Sequence, residues 1–334
     1  MSVVEPSDEV VSPRLVKQVL ERADVTFRGV TRGSGVIVVS IMVLVGLFLT
    51  IRSIQAISAD GIGQFLTTQS WTPPTHFGIA SLVVGTVLIA VVALLVAFPL
   101  SLGTSLFISE AVSGGFQRTL ISIVDLMAAV PSVIYGLWGL AFLEPALVPF
   151  SRWLSTWFGW IPFLEVQGAN ASNPLPNDSL YTASTFIAGL VVGMMIVPVM
   201  SSMMRESFTL APIGEREGAY ALGATRWGMI RTVVLPFGKG GIIGGSMLGL
   251  GRALGETIAI FLIISPIFQF NFHILRVGGN SIAANIALQY GSAGGLTLSA
   301  LMASGLALFV LTMIVNFTAS AIIARSRSGA ESEG

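Results

Sequence analysis

The chain has 334 residues, of which 53% are hydrophobic and only 10% charged, and its mean hydropathy is +0.84. That balance lies outside the range of soluble domains and makes a lipid bilayer the expected solvent. Seventeen basic and seventeen acidic residues cancel, so no global charge points to nucleic acid, and the absence of cysteine removes disulfide and thiolate chemistry.

Residues 1–32 are polar and charged, without a short apolar core followed by a small-residue cleavage site. No cleaved signal peptide is expected, and the first span should act as its own anchor. Ser12-Pro13 reads as a cap and first helical position. Leu15, Val16, Val19 and Leu20 then share one face, which predicts a short helix over 12–24 lying on the inner membrane surface. Uncharged runs of about 20 residues or more, the length that crosses hydrocarbon as a helix, fall near 33–51, 78–106, 119–143, 182–204, 240–264 and 296–323. The fold class expected is therefore an all-α integral membrane protein with six transmembrane helices.

Orientation follows from the basic residues. With the N-terminus inside, Arg14, Lys17, Arg22, Arg28, Arg32, Arg118, Arg205, Arg216, Arg226, Arg231, Lys239, Arg325 and Arg327 are cytoplasmic. Arg52, Arg152 and Arg276 are outside, and Arg252 lies within the membrane. Both termini are then cytoplasmic. The organisation reads as a cytoplasmic N-terminal segment (1–32), a first transmembrane helix with an external loop (33–76), a five-helix core (77–323) and a cytoplasmic tail (324–334). The core contains an external loop at 145–181 and a cytoplasmic loop at 205–239.

Trp153, Trp157 and Trp160 open the external loop at i, i+4 and i+7, the pattern of an interfacial anchor rather than a ligand platform. Pro131 should interrupt the third span and free a backbone carbonyl, which a membrane tolerates only beside protein or water. Pro198 is expected to do the same in the fourth.

Enzyme signals are weak. Gly249-Leu250-Gly251 with Gly255 has the wrong spacing for a dinucleotide loop and no preceding strand. Gly241, Gly245 and Gly249, then Gly251 and Gly255, recur every four residues and should line helix faces where another backbone approaches. "FGKGG" at 237–241 lacks the hydroxyl residue and upstream glycine of a phosphate-binding loop. His76 and His273 are too few and too far apart for a metal site or a Ser-His-acid set.

The cytoplasmic connection "REGAYALGATRWGMIRTVVLPFGKGG", residues 216–241, is amphipathic and dense in charge. It predicts a helix from Glu215 to Leu222, ended by Gly223 in a conformation glycine tolerates, and a second from Trp227 to Val234 stopped by Pro236. Read from the residues alone, it is either a solvated loop or a rigid protruding element. Glu217-Gly218-Ala219, three residues, Gly223 and then Leu235-Pro236 resembles the EAA loop of ABC importer permeases, with Gly218 in place of the usual second alanine. "AAVPSVIYG" at 128–136 and "GRALGETIAI" at 251–260 resemble segments of the phosphate-specific permeases. "ADVTFRGVTR" at 23–32, and "GET" followed by Ile-Ala, are more similar to the PstC type than to PstA.

The resemblance implies the type I importer architecture and a plasma-membrane location in a bacterium. It also implies that Glu217, Gly218, Ala219, Gly223, Leu235 and Pro236 couple the chain to an ATPase. The expected partners are a second, PstA-like permease, a homodimeric PstB-like ATPase that holds ATP and Mg, and an extracytoplasmic PstS-like phosphate-binding protein. This chain itself would bind no cofactor. A secondary anion transporter, or a permease for another oxyanion such as sulfate or molybdate, is the alternative. A secondary transporter should show an internal repeat, and the two halves of the chain share no pattern beyond hydrophobicity.

"GRALGETIAI" places two charges where lipid is expected. At 3.6 residues per turn Arg252 and Glu256 fall on one face a turn apart, close enough to pair. Each charge costs roughly 2.5–3.5 kcal/mol at a helix centre, so both should face protein or a water-filled path. The structural reading is an ion pair that pins helices. The functional one gives Arg252 the oxyanion, since a guanidinium binds it in bidentate fashion, with Glu256 holding Arg252 when the path is empty. Thr257 belongs to the same expected path. Asp125 either lines it or caps a broken helix.

Overall fold

The computed structural model describes residues 22–166 and 177–328. The surface helix expected over 12–24 falls outside them except for Arg22 to Asp24, as does the tail beyond 328. Helix α1 (Arg22–Asp60) leads to α2 (Ile62–Thr67) and a small hairpin, β1 (Trp71–Thr72) against β2 (His76–Phe77), antiparallel with Trp71 opposite Phe77. Next come α3 (Ala80–Leu106), a π-helical turn at Phe107–Ala111, α4 (Gly114–Ala128), α5 (Ser132–Trp138), a second π-turn at Gly139–Leu143 and α6 (Glu144–Phe158). Helix α7 (Thr185–Thr209) is followed by the short α8 (Ile213–Ala221) and α9 (Arg226–Met229), a third π-turn at Ile230–Val234 and α10 (Leu235–Phe237). The chain then forms α11 (Lys239–Leu254), α12 (Ile258–Ile263), α13 (Ile282–Gln289) and α14 (Gly295–Ser328).

Among the described residues, five helical stretches are long and apolar enough to cross a membrane: Asp24–Ala59, Ala80–Ala111, Ser132–Phe158, Thr185–Thr209 and Gly295–Thr318. Arg226–Phe237 with Lys239–Leu254, bent by 66°, adds a sixth if counted as one span. The all-α membrane class stands, with two spans redrawn. The third, expected at 119–143, breaks at Pro131, and the membrane-length helix is Ser132–Phe158. Its π-turn and the helix-compatible Pro145 near the start of α6 carry it past Glu144, so the first part of the expected loop 145–181 is helix bearing Trp153 and Trp157. The fifth, expected at 240–264, breaks between Leu254 and Ile258. Pro198 lies inside the unbroken α7.

By packing, the chain separates into two units between Phe48 and Leu49. In the first, the side chains of α1 from Val36 to Val45 are exposed all round, as in a helix whose solvent is lipid. In the second, α3 and α7 form the centre. A Cβ added at Gly189 would stand 2.6 Å from Val92 Cβ, and one at Gly193 3.0 Å from the Ala93 carbonyl, so these glycines let two backbones close together. Ile89, Val191, Met195, Ile196, Met200 and Met204 fill the seam, each at most 1% exposed.

Helix α11 lies along α7 by the expected glycine stripe. Added Cβ atoms would stand 1.8 Å from Ser207 Oγ at Gly241, 3.1 Å from the Met200 carbonyl at Gly245 and 2.5 Å from Met200 Sδ at Gly249. The stripe stops there. Gly251 has only Asn316 Oδ1 at 3.6 Å, and Gly255 meets only carbonyls of its own helix.

A second cluster joins α1 beyond Leu49, the hairpin, α13 and α14 through Ala56, Phe65, Trp71, Phe77, Ile282 and Leu301. Its polar ties are Trp71 Nε1 donating to Gln289 Oε1 at 2.8 Å and the Ile282 amide donating to Thr86 Oγ1 at 3.0 Å.

Candidate functional site

Two helix breaks meet at the site. At the first, Pro131 has no amide to donate to the Met127 carbonyl, so the ladder fails between α4 and α5. The Tyr135 hydroxyl donates to that carbonyl instead, at 3.1 Å, and the Val130 amide adds a bond at 3.3 Å. The carbonyl expected to be freed is thus satisfied by protein, which is what a break at membrane depth requires. Tyr135→Phe should cost about 1 kcal/mol, read as an earlier midpoint in an SDS titration at unchanged expression.

At the second break, α11 ends at Leu254, with Gly255, Glu256 and Thr257 leading into α12. Helix α5 packs on α12 so closely that a Cβ at Gly136 would stand 2.9 Å from Ala259 Cα. This contact sets the start of α12 against α5, the helix that begins just after the first break. A cavity of about 440 Å³ opens at the second break, lined by Gly255, Thr257, Ala283, Ile286, Tyr290 and Leu308.

Arg252 and Glu256 do not pair. The helix that would have stacked them ends between the two residues, and the carboxylate turns the other way. Glu256 is 8% exposed, and its Oε1 accepts from the Ala259 amide at 3.1 Å, satisfying one of the orphan donors in the first turn of α12. Arg252 is partly buried, in the last turn of α11, where a cation suits the helix dipole. Among the described residues it has no ion pair and donates no hydrogen bond. Thr257 lines the cavity and donates to the Gly255 carbonyl at 3.2 Å.

Asp125 makes its contacts with α7. It sits on α4 against α7, accepting from Ser202 Oγ at 3.2 Å and lying 4.0 Å from Arg205, with a side chain 57% exposed. Among the described residues it caps no helix at the α4–α5 break, and of its two expected roles that one is withdrawn.

The connection between α7 and α11 takes the expected form with one change. Helix α8 ends in Gly223 at φ +85°, the left-handed conformation that glycine adopts freely. The Gly223 amide donates to the Tyr220 carbonyl at 2.9 Å and the Ala224 amide to the Ala219 carbonyl at 3.0 Å. Thr225 Oγ1 then accepts from the Gly228 amide at 3.1 Å and starts α9. Pro236 does not stop the second helix. The π-turn at Ile230–Val234 widens the ladder just before it, Pro236 falls in the first turn of α10, and the bend comes at Gly238.

Glu217, Gly218 and Gly223 are exposed, whereas Ala219 and Leu235 pack against the main core. Around them Leu222 is 91% exposed, Ile213 72%, Leu210 69% and Trp227 62%. A group of large apolar side chains at the tip of a charged, glycine-broken loop has the character of a docking surface.

Sequence reasoning missed Tyr135, Ser202 and Glu110. For Tyr135 a signal existed, since a hydroxyl one turn after an intramembrane proline can replace a lost donor. For Glu110, paired with Arg216 across 106 positions, there was none.

No family model matches the chain. In solved structures, the fold is similar to that of the MetNI methionine ABC transporter in inward-facing conformations. There the TM-score is 0.51 at 17% identity, over 77% of this chain and 99% of that one. It is also similar to a bacterial ABC transporter involved in the import of the acidic polysaccharide alginate, with TM-score 0.57 at 19% identity, over 89% and 96% of the two chains. The fold is one found in ABC transporters.

Sequence relatives narrow the class. The chain is 37% identical over 306 residues to the phosphate transport system permease protein PstC 2 of Mycobacterium tuberculosis, covering 90% of this chain and 92% of that protein. It is 35% identical over 294 residues to PstC of Pasteurella multocida, covering 87% and 89%. The chain belongs to the PstC family of phosphate transport system permease proteins, and it is a multi-pass protein of the bacterial inner membrane.

Proposed function

We propose that this chain is one of two transmembrane subunits of an ATP-driven importer that carries inorganic phosphate into the cytoplasm. The observation that carries the proposal is Arg252: a guanidinium at a helix break, beside a second break and without an ion-pair partner among the described residues. A cation kept at membrane depth at such cost is a functional group by default, and its planar donor fork matches a phosphate. Thr257 and the cavity at Gly255 belong to the same path, and Asp125 with Ser202 and Arg205 stands toward its cytoplasmic end.

The chain holds no ATPase site of its own and binds no cofactor. Hydrolysis of ATP with Mg falls to a homodimeric PstB-like subunit that docks on the loop at 205–239 through Glu217, Gly218 and Gly223, with Ala219 and Leu235 packing the loop on the core and Pro236 in the first turn of α10. A PstA-like permease completes the pathway, and a PstS-like protein delivers phosphate from outside. Both termini are cytoplasmic. The test is phosphate uptake into vesicles carrying this chain with those partners. Uptake that follows ATP and persists when ion gradients are collapsed supports the proposal. Uptake without the ATPase, or abolished by the ionophore alone, overturns it in favour of a secondary transporter.

A further inference from the structure

The loop expected to meet the ATPase is fastened to the membrane helices by a charge pair, Glu110 buried and Arg216 partly so, that the transport reading does not use. Glu110 lies in the π-turn that ends α3 and is 6% exposed. Arg216 of α8 places Nη1 3.0 Å from each of its carboxylate oxygens. The other terminal nitrogen, Nη2, donates to the Phe208 carbonyl at 2.5 Å, near the end of α7. Arg226 of α9 donates to the backbone carbonyl of Glu110. Both short helices are thus tied to one glutamate, and one guanidinium spans the cytoplasmic ends of α3 and α7. Arg216 and Glu217 are neighbours on α8, so the helix turns one toward the core and the other outward, and Glu217 is exposed.

The geometry is not that of a static fastener. A single nitrogen straddles both carboxylate oxygens, where the strong form of this pair uses two nitrogens in parallel. Glu110 Oε1 and Arg216 Nε are buried without a well-formed hydrogen bond. A buried pair with polar capacity left over costs more than an apolar contact of the same size, so stability alone does not account for it. The spare acceptor and donor leave each group capacity to re-pair if the short helices shift.

We propose that the Glu110–Arg216 pair is the joint through which movement of α8 and α9 acts on α3 and α7, with Glu110 a positioning residue for the coupling of ATP hydrolysis to transport. The proposal rests on the loop being the ATPase dock.

The test uses the full complex of this chain with its permease partner, ATPase and binding protein in liposomes, and reads phosphate imported per ATP hydrolysed beside complex yield. Glu110→Gln keeps the shape and an acceptor but removes the charge. It is expected to keep complex yield and basal ATP hydrolysis within about twofold while the import ratio falls at least about tenfold, with Glu110→Asp restoring part of it. A wild-type ratio in Glu110→Gln overturns the proposal. If Glu110→Gln fails to assemble, the doubly neutral Glu110→Gln/Arg216→Gln leaves no lone buried charge. An assembled, uncoupled double variant supports the joint, whereas a fully coupled one, or one that again fails to assemble, overturns it. Gly223→Val separates this from failure of the dock itself: if that variant retains the ATPase and imports normally, the loop is not the dock, whatever Glu110 does.

Discussion

Phosphate uptake should collapse in Arg252→Gln while the complex is still recovered at wild-type yield. The substitution keeps a hydrogen-bonding side chain of similar reach, so the end of α11 is preserved, but it removes the cation at the two breaks. Losing one charged contact to a desolvated anion costs roughly 2–5 kcal/mol, at least about thirtyfold in binding. Because Arg252 and Glu256 are not paired, the variant strands no partner charge, and a purely structural arginine should therefore tolerate the change. Glu256→Gln gives the contrast. Its amide oxygen can still accept from the Ala259 amide, so α12 keeps its first turn and partial transport should remain. Phosphate and sulfate uptake, measured for both variants beside complex yield, decide the matter. Normal phosphate uptake by Arg252→Gln removes the substrate role.

Gly223→Val should detach the ATPase without preventing membrane insertion. No atom lies within 4 Å of a Cβ built on Gly223, so there is no clash to relieve, and the whole effect comes from φ +85°. A β-branched residue held in the left-handed region costs on the order of 1–3 kcal/mol. The chain escapes that cost by leaving α8 at another angle, which displaces Leu222 on one side and the Thr225 cap of α9 on the other. Leu222 and Trp227 of α9 are both among the exposed apolar side chains proposed for docking. The expected result is reduced co-purification of the ATPase at unchanged membrane levels, with Gly223→Ala intermediate because it lacks the branch. Undiminished association with normal uptake would remove the coupling role of the loop.

Composition and apolar runs made the membrane class and most spans legible, because burial in lipid leaves no choice of residue type. Gly223 was legible for a similar reason, as a glycine between two amphipathic segments has few uses other than ending a helix. What failed was the assumption of unbroken period. Arg252 and Glu256 are a turn apart only if the helix continues, and it ends between them. Pro236 stops a helix only if the ladder before it is regular, and a π-turn makes it otherwise. The third span was placed by its lack of charge, whereas Pro131 divides that run and Glu144 sits inside the helix that crosses. Glu110 and Arg216 meet through tertiary folding alone. No local pattern marks either as the other's partner.

The glycine stripe on α11 also has a mechanical meaning. With Gly241, Gly245 and Gly249 set against α7, the two helices have no room to slide or roll over each other, so together they behave as a stiff plate. The breaks in regular helix fall at the two ends of α11: the bend at Gly238 and the gap from Gly255 to Thr257. One end lies beside the loop and the other carries the cavity. If the pair tilts as one body, both ends should be displaced together, so they should open and close in step.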